Sequence, residues 1–183
     1  MRIISGKYRG AKLYSPEDNR VRPTTDRIKE SVFNIICSRL NVYGATVLDL
    51  FSGSGALGLE AYSRGAKKVV FVDNDKDSIR LTKSNIAKLR VPAENYEIYQ
   101  TEYFIALKKL ENRRFDIVFA DPPYASGYFD NILEHVRKYN ILNESGIMVV
   151  EHDSKTVVEN EDYFVDCRKM GNTAVSFLTR RDR

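Results

Sequence analysis

Cysteine is scarce in this chain: Cys37 and Cys167 are the only two among its 183 residues. Isolated from each other, they do not form the paired spacing of a disulfide framework or a metal site, and both are expected as buried thiols. Long apolar runs are also missing. No stretch approaches the roughly 20 consecutive apolar residues that span a bilayer, and Met1 to Gly6 lacks the apolar run of a secretory signal. A soluble, cytoplasmic protein is predicted, with no membrane contact. Repeats, low-complexity tracts and Gly/Ser linkers are absent as well, so nothing divides the chain. One compact domain over 1–183 is expected, with an extension at 1–43, a core at 44–183, and a monomeric state.

The excess of positive charge lies at the ends. Residues 1 to 30 carry eight Lys/Arg against four Asp/Glu and residues 166 to 183 carry five against two, whereas the stretch between them carries sixteen against nineteen. At the N-terminus Arg2, Lys7, Arg9, Lys12, Arg20 and Arg22 alternate with Tyr8 and Tyr14, a mixture that suits phosphate contact and base stacking. For the counts alone, a solvated charged surface is the better explanation.

The first fifteen residues read as two short strands around Gly6 to Gly10. After Arg22-Pro23, Thr24 or Thr25 can cap a helix whose apolar positions are Ile28, Val32, Ile35, Ile36 and Leu40. From residue 45 strands alternate with helices. Strands are predicted at 46–50, 68–72, 96–99, 115–120 and 146–151, with helices from about 55, from Asp75, over 104–110 and near 128–139. Short, nearly continuous apolar strands separated by amphipathic helices predict an α/β, doubly wound, mostly parallel sheet covered on both faces. Residues 162–168 and 173–179, joined by Met170-Gly171-Asn172, predict a C-terminal antiparallel hairpin.

Phe51-Ser52-Gly53-Ser54-Gly55-Ala56-Leu57-Gly58 follows the first core strand and opens its helix, the context of a nucleotide-binding glycine loop. Asp73 ends the next strand, where a carboxylate accepts from ribose hydroxyls. The loop by itself fits NAD and S-adenosylmethionine equally. Asp49 separates them, because a carboxylate there opposes a pyrophosphate and suits the ammonium and sulfonium of S-adenosylmethionine. Asp75 reads as a helix cap, and Glu102 either as an adenine contact or as another cap.

Asp121-Pro122-Pro123-Tyr124 follows the fourth core strand and projects into the same crevice. An exocyclic base amine is a poor nucleophile because its lone pair is delocalised into the ring. Asp121 and a proline carbonyl can each accept one of its N–H bonds, directing the lone pair at a sulfonium methyl. Pro122 and Pro123 stiffen those acceptors, and Tyr124 offers a ring face to a base removed from its stack. This transfer needs no metal. Glu151 either supports the pocket or merely ends its strand. His152 stays unassigned, and His135 reads as a solvated helix residue.

With these residues in place, the chain resembles the seven-stranded, Rossmann-like S-adenosylmethionine methyltransferases. It resembles more closely the bacterial family that methylates a guanine N2 in small-subunit ribosomal RNA. The likeness runs through Arg2 to Gly10 with Leu13, Arg22-Pro23-Thr24-Thr25-Asp26-Arg27 through Asn34, Asp49 to Ala61, Asp121 to Tyr124 and Gly171-Asn172-Thr173. It departs from the family at Glu102-Tyr103 and at Ser52. The resemblance implies cofactor contacts at Asp49, Phe51, Gly53, Gly55, Asp73, Asn74, Glu102 and Thr24, and base chemistry at Asp121 to Tyr124. It also implies RNA contacts at Lys7, Arg9, Arg22 and Arg27, with small-subunit rRNA, free or within a ribosomal particle, as the partner. The tetrapeptide alone leaves adenine N6 and cytosine N4 open as acceptors. Two readings of other classes are an NAD-binding enzyme and a non-catalytic RNA-binding module.

Overall fold

The computed structural model describes residues 1–16, 26–123 and 127–181. Five strands run parallel: β1 (Thr46–Leu50), β2 (Lys68–Asp73), β3 (Tyr96–Gln100), β4 (Phe115–Ala120) and β5 (Leu142–Asp153). β6 (Tyr163–Met170) and β7 (Thr173–Arg180) add the antiparallel hairpin. The sheet order is β3-β2-β1-β4-β5-β7-β6, so the hairpin turns back at Gly171-Asn172 and places β7 between β5 and β6. β1 and β4 begin as predicted, whereas β5 starts earlier, at Leu142, because an irregularity in its register against β4 absorbs the extra residues.

The apolar strands are buried on both sides, as a parallel sheet demands. Val47, Phe71, Phe119 and Phe177 meet the face carrying α1 (Asp26–Arg39), α2 (Ala56–Ser63) and α3 (Lys76–Leu89). Leu48, Val70, Val118 and Met148 meet the face carrying α4 (Tyr103–Lys109) and α5 (Tyr128–Lys138). Burying each such side chain stabilises the fold by about 1.5–3 kcal/mol. Asp75 caps α3 as expected, accepting from Ser78 N at 2.7 Å.

Several expectations need correction. The N-terminal strands reduce to one bridge, Arg2 to Lys12, reinforced by backbone bonds such as Ile3 N to Ala11 O at 2.9 Å. α1 buries Val32 and Ile36 of the expected stripe, with Ile28, Ile35 and Leu40 partly buried against the same core, but it also buries Phe33 and the unexpected Lys29. The reason is electrostatic. Lys29 Nζ stands 3.4 Å from Glu60 Oε2, both side chains fully buried, and also donates to Arg2 O. Glu60 in turn accepts from Ile4 N (2.8 Å), Ser5 N (3.1 Å) and Arg64 Nε (2.8 Å). A single α2 carboxylate therefore docks both α1 and the N-terminal hairpin. Both cysteines are exposed, contrary to expectation: Cys37 lies on the outward side of α1 and Cys167 on edge strand β6.

Candidate active site

Register brings the chemistry-bearing residues to one edge. Leu50 pairs with Val72 and Ala120, and Ala120 pairs with Val150. The residues that follow, Asp73, Phe51, Asp121 and Glu151, therefore stand in a row across adjacent strands, the first three at the carboxyl ends of β2, β1 and β4 and Glu151 two residues short of the end of β5. This is where ligands enter open α/β sheets.

The glycine loop is shaped by backbone that few side chains tolerate. Phe51 lies at φ 59, Gly53 at φ 55 and Gly55 at φ 78. A Cβ on Gly53 would meet nothing within 4 Å, so this glycine leaves a cradle at the crevice. Gly58 has the opposite reason: a Cβ there would come within 2.5 Å of Phe71 Cε1 and 3.0 Å of Asp49 Oδ2. Close approach of α2 to the sheet requires it.

α2 begins at Gly55, which offers no capping side chain. Asp49 supplies the cap from β1, its Oδ2 accepting Gly58 N at 2.9 Å. Burial pushes the Asp49 carboxyl well above the usual range, with Asp121 and Asp73 adding to the rise. Asp73 accepts from Gly53 N (Oδ2, 2.9 Å) and Asp75 N (Oδ1, 2.9 Å), and burial raises it as well. Asp121 is pushed up to about 7, by burial first and by the nearby Glu151 second. Three carboxylates that resist ionisation, Asp49 buried and Asp73 and Asp121 partly so, fit a cationic ligand, since positive charge among them would relieve the cost. These acceptors fit a nucleoside with an ammonium and a sulfonium better than a pyrophosphate, because Asp49 already takes the Gly58 N–H at the start of α2.

Pro122 is buried and Pro123 exposed. Together with Tyr128, Phe129, Glu151 and His152 they line a cleft of about 350 Å³ beside Asp121. Tyr124, Thr24 and Arg22 lie outside the described residues. Asn74 is exposed and donates from Nδ2 to Glu102 Oε1 at 2.8 Å. Glu102 stands at the N-cap of α4 without a capping bond from its side chain, so the capping alternative falls.

Lys7, Arg9 and Arg27 are exposed. Lys7 N donates to Ser63 O at 2.7 Å, which puts the hairpin tip at the far end of α2 from the glycine loop. An eight-residue helix, roughly 12 Å long, therefore separates Lys7 from the crevice. Beside it Tyr8 stacks on Tyr62 at 6.2 Å, with Lys7 Nζ 5.2 Å from the Tyr8 ring centre.

Sequence reasoning missed the polar face of α3. Fully buried Thr82 donates to Gly53 O at 2.8 Å, and fully buried Asn85 donates to Ser54 O at 2.9 Å. Their only sequence signal is spacing: two polar residues three apart among Ile79, Ile86 and Leu89. His135 is no solvated residue. It is half-buried against Tyr103, whose hydroxyl lies 3.4 Å from Nδ1, and stacks on Tyr139. His152 ties strand ends together through Ser176 Oγ (2.8 Å) and Asp153 O (2.9 Å).

The sheet order, the glycine loop and the carboxylate row at its edge define an α/β fold of the methyltransferase class. The chain belongs to the family described as conserved hypothetical protein 95, whose model matches residues 1–179. It is similar to an rRNA methyltransferase candidate of Bacillus subtilis, 39% identical over 99% of this chain and 100% of the relative. It is similar also to ribosomal RNA small subunit methyltransferase D of Haemophilus influenzae, 34% identical over 89% of this chain and 84% of that one. A solved structure of an Escherichia coli methyltransferase candidate superposes with a TM-score of 0.86 at 29% identity, covering 100% of this chain and 99% of that chain.

Proposed function

We propose that this protein transfers a methyl group from S-adenosylmethionine to the exocyclic N2 amine of a guanine in small-subunit ribosomal RNA. The observation that carries the reading is the row of Asp73, Phe51 and Asp121 on adjacent strands, with Asp49 buried beneath it. Cofactor and amine sites thus share one crevice. The relatives' names support small-subunit rRNA as substrate, and such a substrate places the work in the cytoplasm.

Asp49 and Asp73, with Gly53 and Gly55, hold the cofactor: Asp73 faces the ribose and Asp49 the cationic methionine end. S-adenosylmethionine supplies an electrophilic methyl, its carbon–sulfur bond breaking with the electron pair left on sulfur as the new carbon–nitrogen bond forms. Asp121 accepts one N–H of the amine, aligns the lone pair, and takes the proton that nitrogen sheds. Pro122 and Pro123 keep that acceptor fixed. Lys7, Arg9 and Arg27 contact phosphates, and the distance of the hairpin tip from the crevice calls for a folded RNA broad enough to touch both. The chain acts as one methyltransferase unit and as a monomer, on free rRNA or within a ribosomal particle.

Incubation with labelled S-adenosylmethionine and small-subunit rRNA or its particle, followed by digestion and mass spectrometry, tests this reading. N2-methylguanosine is the expected product, and methyl on adenine alone overturns it. Asp121→Ala should abolish transfer while RNA binding persists.

A further inference from the structure

We propose that Glu151 reads the acceptor base: its carboxylate accepts the N1–H of guanine while Asp121 accepts an N2–H. The assignment rests on the guanine reading above and extends it to the residue that selects the base.

Glu151 follows Val150 on β5 as Asp121 follows Ala120 on β4, and Val150 pairs with Ala120. The two carboxylates are therefore lateral neighbours at one sheet edge, close enough that Glu151 contributes to the elevated pKa of Asp121. Glu151 lines the cleft beside Pro122 and Pro123. It is also anchored. The buried Thr173 hydroxyl donates to Glu151 Oε1 at 3.0 Å, and Thr173 belongs to β7, which is hydrogen-bonded to β5. A strand-borne carboxylate held by a neighbouring strand is a rigid acceptor, which recognition of a base edge requires.

Base chemistry then decides what such a pair of acceptors selects. Guanine, adenine and cytosine all carry an exocyclic amine, but they differ at the adjacent ring nitrogen. In guanine N1 bears a proton; in adenine N1 and cytosine N3 present a lone pair. Two adjacent carboxylates match two adjacent donors, and only guanine offers a ring N–H next to its amine. Against adenine or cytosine the Glu151 oxygen would face a lone pair, a repulsion in a cleft where water is displaced. Asp121 alone specifies an amine. Asp121 with Glu151 specifies guanine.

The test substitutes the base. After the methylated nucleotide has been mapped on the small-subunit particle, it is replaced by 2-aminopurine riboside in ligated rRNA. This analogue keeps the 2-amine and presents a lone pair at N1. For the unaltered enzyme kcat/KM should fall on the order of 10- to 100-fold on the analogue, the loss expected when a charge-assisted hydrogen bond gives way to repulsion. Glu151→Gln, whose amide can donate to that lone pair, should lower kcat/KM on guanine and narrow or reverse the preference. An unchanged guanine-to-aminopurine ratio in Glu151→Gln overturns the assignment, as do equal rates on both bases with the unaltered enzyme, which needs no variant. A ratio is insensitive to partial loss of folded protein, and retained binding of S-adenosylhomocysteine by calorimetry checks the fold. Should the mapped product not be N2-methylguanosine, the guanine reading itself fails. If the product is N2-methylguanosine and the ratios do not move, Glu151 alone is misassigned.

Discussion

Asp49 and Gly58 form a helix cap that reaches across elements: the β1 carboxylate accepts the Gly58 N–H of α2 at 2.9 Å while fully enclosed beside Phe71. The same side chain thus starts the glycine-loop helix and, in the function proposed above, also serves the cofactor. Because burial holds its carboxyl far above the usual range, Asp49→Asn keeps an acceptor for Gly58 and removes a costly charge. We expect this substitution to raise the thermal midpoint by at least about 2 °C, the shift that ~1 kcal/mol causes in a chain of this size. Affinity for S-adenosylmethionine should fall at least about tenfold. Scanning calorimetry with titration calorimetry checks both, and an unchanged affinity would remove Asp49 from the cofactor site.

Asn85 clamps the backbone of Tyr14, accepting its N–H at 2.7 Å and donating to its carbonyl at 3.0 Å, while also donating to Ser54 O. Asn85→Leu leaves those groups unsatisfied. It should destabilise the protein by about 2–4 kcal/mol and weaken cofactor binding, because the glycine loop loses a support. Urea unfolding and calorimetry are the measurements. A loss of stability with no change in cofactor affinity would limit Asn85 to holding the N-terminal arm.

Gly6 and Gly10 share positive φ, 86 and 84, but not their surroundings. A Cβ on Gly6 would collide with the Ser63 carbonyl, whereas one on Gly10 would meet nothing within 4 Å. Gly10→Ala should cost about 1–2 kcal/mol for the left-handed backbone. Gly6→Ala should cost more and detach the hairpin, seen as fast amide exchange at Lys7 and Tyr8, whose N–H groups bond Ser63. Equal costs for the two variants would contradict this docking.

Asp121 gives a pH signature. Its folded-state pKa of about 7, raised by burial and by Glu151, exceeds the ordinary carboxyl value of 3.8, so the folded protein binds this proton more tightly than the unfolded chain. The associated stability is complete below that ordinary value and is lost as pH rises through about 7, at most about 4 kcal/mol. Asp121→Asn should therefore gain on the unaltered protein between about pH 4 and about pH 7, the window set by the shift. Catalysis runs the other way, since only the ionised form accepts the amine proton, and kcat/KM should rise with pH through about 7. Asp49, which also feels Asp121, broadens the transition. A rate flat with pH across that window would deny Asp121 its role as acceptor.

The strands and the glycine loop were legible because each is local. Val47 to Leu50 and Val69 to Val72 are continuous, mostly apolar runs, and a parallel strand buried on both faces needs little else. The α1 stripe was legible for the same reason, since Val32 and Ile36 are buried and Ile28, Ile35 and Leu40 pack against the core. Apolar periodicity does not show the burial of Lys29, whose partner Glu60 is 31 residues away. The cysteines followed the same pattern, since a small apolar side chain does not reveal which face of α1 or which edge of the sheet it occupies.

By itself the sequence determined the alternation of strand and helix, the glycine loop, Asp73 at the end of its strand and the Asp-Pro-Pro turn. Each is a property of a few neighbouring residues. Only the tertiary structure decided that Asp49 caps α2, that Thr82 and Asn85 carry the glycine loop, and that Glu151 stands next to Asp121. These relationships join residues 9 to 31 positions apart. They exist because strand register, set by packing of whole faces, brings distant side chains to one edge, and no local pattern encodes that register.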